Sequence, residues 1–137
     1  MADRLAIESR FDQLRLLSDW VGELAARQQL TPAVAYRLDL VLTEAVTNII
    51  EHGGGNGGDH RWIILEYQTG DQSIEIEIRD NSKPFDPTAQ AEFTPPDSLH
   101  EATPDGRGIH LIRKYTSGMH YRHDGECNIL TLTFESA

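Results

Sequence analysis

At 137 residues the chain has the length of one domain, enough to bury a core without disulfide or metal staples. Its apolar fraction of 39% and charged fraction of 25% suit a soluble globular protein, and its formal net charge of −10 argues against a general nucleic-acid binder, whose phosphate contacts need clustered Lys and Arg. The single cysteine, Cys127, permits no internal disulfide, and the opening residues carry no long apolar run, so no signal peptide or membrane span is expected and the cytoplasm is the default compartment.

From about Phe11 to Arg27, residues Phe11, Leu14, Leu17, Trp20 (or Val21) and Leu24 recur at helical steps, which predicts an amphipathic helix. Thr31-Pro32 reads as the start of a second helix, with Thr as cap and Pro at the first helical position. Its stripe of Leu38, Val41, Leu42, Ala45, Val46 and Ile49 should end at Gly53, where a glycine-rich connector runs to Gly58. Arg61 to Gln68 is rich in strand formers. Ser73 to Arg79 then alternates Ile74, Ile76 and Ile78 with charged residues, a strand with one buried and one wet face. Thr69 to Gln72 reads as the hairpin turn between them.

Pro84 to Asp105 holds five prolines and no periodicity, and a stretch of that length inside a compact domain is more often functional than idle. Gly106 onward predicts a helix to about Ser117 with Ile109, Ile112 and Tyr115 or Thr116 inward. Met119 to His123 and Asn128 to Phe134 read as a closing hairpin around Asp124-Gly125, with Leu130, Leu132 and Phe134 on one face. The expected fold is α+β, a two-layer sandwich in which helices cover one face of a mixed, mainly antiparallel sheet, as a single domain over residues 1–137.

Three motifs carry chemistry, in the order helix, strand end, glycine turn into helix. Glu44 and Asn48 lie four apart on the second helix and share a face, which His52 continues. A carboxylate beside an amide oxygen suits a hard cation such as Mg²⁺ or a base toward a hydroxyl; the plain alternative is a solvated polar stripe. Asp80 ends the alternating strand, where its carboxylate can accept from the amino group of adenine; Asp-Asn-Ser is equally ordinary turn chemistry. Gly106-Arg107-Gly108 at a helix mouth resembles a phosphate cradle, with Arg107 offering a charged contact, although it is also a plain loop-to-helix joint.

Other constellations fail. No Walker A loop, Rossmann fingerprint or serine elbow occurs, and His120 and His123 fall on opposite faces of a strand. Cys127 reads as a small packing residue.

Taken together, these motifs make the chain resemble the ATP-binding fold shared by gyrase, the MutL mismatch-repair protein, heat-shock chaperones and sensor histidine kinases. Within that group it most resembles the small anti-sigma factor serine kinases of bacteria. The match rests on Thr43-Glu44-Ala45-Val46-Thr47-Asn48 with Glu51-His52-Gly53, on Arg79-Asp80 through Pro84-Phe85-Asp86-Pro87, on Gly106 to Arg113, and on Gly125 to Leu132. The resemblance implies Glu44 as general base, Asn48 as Mg²⁺ ligand and Asp80 as the adenine contact, with Ser82 in the adenine-side loop where the wider group has glycine. It implies that Gly106, Arg107, Gly108, Ile109 and Leu111 border the phosphates of ATP and that residues 84–105 form a lid over it. Ile129 takes the place where many relatives have a threonine that helps hold adenine through water.

The implied activity is ATP-dependent phosphorylation of a serine or threonine on a small anti-anti-sigma protein, with sequestration of a sigma factor otherwise, and a homodimer as the assembly. A nucleotide-binding anti-sigma module without phosphotransfer is the alternative. Direct nucleic-acid or membrane partners are not expected.

Overall fold

The apolar stripes fold as their spacing demands. The computed structural model describes residues 3–52, 60–89 and 104–135, except the side chains of 89 and 104–109. After a single 3-10 turn at Phe11–Gln13, helix α1 spans Leu14–Arg27 and buries Leu17, Trp20, Val21 and Leu24. Helix α2 spans Pro32–His52. The Thr31 hydroxyl accepts the Val34 N–H at 3.2 Å, and Pro32 occupies the first helical position, where a missing N–H costs no intrahelical bond. The helix ends at His52, where the glycine tract begins; that tract (53–58) lies outside the described residues.

The sheet contains β1 (Asp3–Glu8), β2 (Trp62–Gly70), β3 (Ser73–Asp80), β4 (Gly118–Asp124) and β5 (Cys127–Glu135), in the order β1-β2-β3-β5-β4. Every neighbouring pair is antiparallel, so the expected admixture of parallel pairing is absent from the described residues. Helix α3 spans Pro104–Tyr115 and connects β3 to β4, while β5 slots between those two strands. Helix α2 packs against both α1 and α3.

The strand β1 was not expected. Only Leu5 and Ile7 of its six residues are apolar and inward, too short an alternation to stand out, and it sits at the sheet edge. Arg27, at the end of α1, forms an ion pair with Asp3 that ties this edge to the helical layer. Helix α3 also starts earlier than expected, at Pro104 rather than Gly106, because proline is itself a favoured first helical residue.

Strand register decides where the site falls. On the helix-facing side, Ile74, Ile76 and Ile78 of β3 oppose Phe134, Leu132 and Leu130 of β5, and all six are buried. The next rung on that same face is Asp80 opposite Asn128, both also buried. An apolar ladder thus ends in a polar pair that is still inside the protein. Buried polar side chains are tolerated when they are hydrogen-bonded, and the partners of this pair define the site.

Candidate functional site

A cleft, open at its mouth, lies between the C-terminal half of α2 and the polar end of the β3–β5 ladder. Ala45 and Ile49 from α2, Ile112 from α3 and Leu130 from β5 give it apolar walls. Phe85 and Pro87, beyond β3, contribute the outer wall. This mix of apolar walls with a few converging polar groups is the usual make-up of a small-molecule site.

Asn128 organises the polar end. Its Nδ2 donates to Asp80 Oδ1 at 3.1 Å, to the Ser82 carbonyl at 3.0 Å and to the Lys83 carbonyl at 3.2 Å, so its two hydrogens are shared among three acceptors. Its Oδ1 accepts the Tyr121 hydroxyl at 2.5 Å and the Phe85 N–H at 3.4 Å. One side chain thereby fixes the carboxylate and the turn after β3. Asp80 Oδ1 also accepts the Ser82 N–H at 2.9 Å. Both of these hydrogen bonds fall on Oδ1, and Asp80 lines the pocket.

Burial pushes the Asp80 carboxyl above its usual range. The Asn128 amide, the Ser82 N–H, the nearby Ser82 hydroxyl and the Arg61 charge pull it partly back. The folded state therefore binds this proton more tightly than the unfolded chain does. Stability contributed by the neutral form is lost as pH rises from the unfolded carboxyl's value, about 3.9, through the raised folded one. Against wild type, ligand-free Asp80→Asn is expected to gain relative stability across that window and to keep the gain at neutral pH. Denaturant midpoints of the two proteins measured from acid to neutral pH check this; a gap that closes as pH rises would contradict the burial account.

Two buried polar atoms on residues that line the same cleft have no hydrogen-bond partner among the described residues: Asn48 Nδ2 and Ser82 Oγ. Asn48 is 5% exposed and Ser82 6%, so the solvated-stripe reading of Asn48 does not hold. Leaving such groups unsatisfied costs about 1–3 kcal/mol each. A ligand with polar atoms at both positions would remove that cost, and these residues fit a nucleotide in this respect.

Of the residues singled out in the sequence, the fold brings Asn48, Asp80 and Ser82 to one pocket. Glu44 is half-buried one helical turn before Asn48 and is not part of the pocket wall. Leu111 is half-buried and also off the wall; its neighbour Ile112 lies on it, fully buried. Gly106, Arg107, Gly108 and Ile109 have their backbone within the opening turns of α3, and their side chains lie outside the described residues.

Of the segment expected as a lid, 84–105, the structure describes 84–89 and 104–105. Phe85 stacks on His52 with ring centroids 3.7 Å apart and planes 13° apart. Pro87 is buried, and Arg113 of α3 donates to the Thr88 carbonyl at 3.1 Å. Phe85 and Pro87 thus belong to the cleft wall, 104 and 105 to α3, and 90–103 lie outside the described residues.

The sequence reading missed Asn128 and Tyr121. It placed Ile129 near the adenine, but Ile129 opposes Arg79 and Arg122 on the sheet face turned away from α2. Strand parity could have corrected this. If Leu130, Leu132 and Phe134 face inward, then so does Asn128, and Ile129 does not.

The chain belongs to the histidine kinase-like ATPase domain family, which residues 7–134 match. It is 30% identical over 118 residues to the serine/threonine-protein kinase BtrW of Bordetella bronchiseptica, across 86% of this chain and 82% of that protein. The histidine kinase AdeS of Acinetobacter baumannii has a similar fold, with a TM-score of 0.50 at 13% identity over 98% of this chain and 68% of that one. Among the described residues no helix is long and apolar enough to cross a membrane.

Proposed function

We propose that this protein is an ATP-dependent serine/threonine kinase of the anti-sigma type. It phosphorylates a small anti-anti-sigma domain protein and otherwise holds a sigma factor. The observation that carries the reading is the buried, unpartnered Asn48 amide, one helical turn from the Glu44 carboxylate and across the cleft from Asp80. The similarity to a protein named as a serine/threonine kinase supports a protein hydroxyl as acceptor.

In this reading Asp80 Oδ2 accepts from the adenine amino group, and Ile49, Ile112 and Leu130 exclude water from the ring. Asn48 would hold Mg²⁺, through Oδ1 after a half-turn of the amide that exchanges its oxygen and nitrogen. Bound there, the ion supplies charge neutralisation for the phosphate oxygens. Glu44 would accept the proton of the partner's serine or threonine hydroxyl as that oxygen bonds to the γ-phosphorus of ATP and ADP leaves.

Glu44 standing outside the pocket wall favours a second reading, a nucleotide-binding module that switches partners without phosphotransfer. Incubation with labelled ATP and a small anti-anti-sigma domain protein separates the two, since label on that protein requires the first. For either, millimolar ATP or ADP with Mg²⁺ is expected to raise the melting temperature, because a ligand at a hundred times its Kd stabilises by about 2.7 kcal/mol. GTP should raise it far less, since its O6 presents an acceptor to the Asp80 carboxylate. Equal shifts with GTP, or none with adenine nucleotides, would remove the adenine pocket.

A further inference from the structure

Asp80 and Ser82 line the cleft from the two ends of one tight turn, closed by the Ser82 N–H on Asp80 Oδ1 at 2.9 Å. The hydroxyl of Ser82 is buried, and the donors around it are committed. The Asn128 amide is spent on Asp80 and on two backbone carbonyls, and the Tyr121 hydroxyl is bonded to Asn128. Ser82 Oγ lies near enough to the carboxylate to favour its charged form, yet makes no hydrogen bond of proper geometry. Ser82 itself lines the cleft.

We propose that the Ser82 hydroxyl is a second base-reading group, donating directly to the ring nitrogen beside the adenine amino group while Asp80 accepts from that amino group. This rests on the reading of the cleft as an adenine-nucleotide site. Adenine carries a donor, its amino group, next to an acceptor, ring nitrogen N1, on one edge. A carboxylate oxygen beside a hydroxyl offers the complementary acceptor and donor. A glycine at this position would have no such group, and a water would have to take its part. The hydroxyl proton rotates freely about the C–O bond, so it can turn from the carboxylate to the base without moving the backbone.

The experiment is a two-by-two binding measurement, by calorimetry, of ATP and 1-deaza-ATP (N1 replaced by C–H) on the wild type and on Ser82→Ala. The wild type should bind 1-deaza-ATP about 3- to 10-fold more weakly than ATP, the scale of one neutral hydrogen bond. Ser82→Ala should bind ATP more weakly by a similar factor and should not distinguish the two ligands, so that the changes fail to add. A triphosphate lacking the 6-amino group should lose affinity equally on both proteins, reporting Asp80 alone. Wild type that binds 1-deaza-ATP as tightly as ATP overturns the proposal, as does Ser82→Ala that still prefers ATP by the full factor. In both cases the adenine site itself survives. Wild type that binds no adenine nucleotide at millimolar concentration overturns the site and this proposal together. The wild-type comparison needs no variant to fold.

Discussion

Replacing Glu44 with alanine is expected to cut phosphotransfer to the protein substrate by about 10²-fold or more, the scale on which a general base contributes, while leaving nucleotide affinity largely intact. Glu44 is half-buried and off the pocket wall, so on the kinase reading its loss removes a proton acceptor and no contact lining the cleft. Asn48→Ala, one turn further on, should fail differently. It deletes a buried amide on the wall itself, and Mg²⁺-dependent nucleotide affinity should fall before any rate is measured. Single-turnover transfer and equilibrium binding, run on both variants, separate these effects. A Glu44→Ala protein that labels its partner at the normal rate would leave only the binding-module reading.

The second large effect is expected at Asp80. Asp80→Asn keeps the shape, and its side-chain oxygen can still accept from Ser82 N–H and Asn128 Nδ2, which places the new NH₂ at the position of Oδ2. That donor meets the donor of adenine. ATP affinity should fall by about 10- to 10²-fold, as a charge-assisted hydrogen bond of about 1.5–3 kcal/mol is lost. Affinity for GTP should hold or rise, because O6 now finds a donor. The ligand-free variant should at the same time be more stable at neutral pH, since it no longer buries a charge. Binding and stability moving in opposite directions mark a residue kept for its ligand at the fold's expense. A variant that loses both would make Asp80 a structural residue only.

Much of the architecture could be read from residue spacing. The α2 stripe, its Thr31 cap and its stop before Gly53 are local signals, as is the β3 alternation of isoleucine with charge. What escaped depended on partners distant in sequence. β1 shows only Leu5 and Ile7 inward and gains its identity from pairing with β2 across the sheet edge. Phe85 and Pro87 lie in a proline-rich stretch that looks unstructured until His52 and Arg113 are brought against it. At the site, Asn48 and Asp80 stood out as polar residues at the borders of apolar patterns. Asn128 did not, because its five hydrogen-bond partners come from two separate stretches, at 80–85 and at 121, both distant from it or reached only across a strand. Its significance is tertiary, and only strand parity hinted at it.

The Asp80–Asn128 rung joins residues 48 apart in the chain, and β5 can take its place only between β3 and β4. Closing so long a loop costs entropy before any contact repays it, and pairings of this kind are slow to form. The cleft therefore has no partial version. A chain still emerging from the ribosome can assemble α1, α2 and the β2–β3 hairpin and yet have nothing with which to orient Asp80. Nucleotide capture then reports completion of folding, and refolding followed by a fluorescent adenine nucleotide should show binding appear with the slowest phase, after helical circular dichroism has already returned.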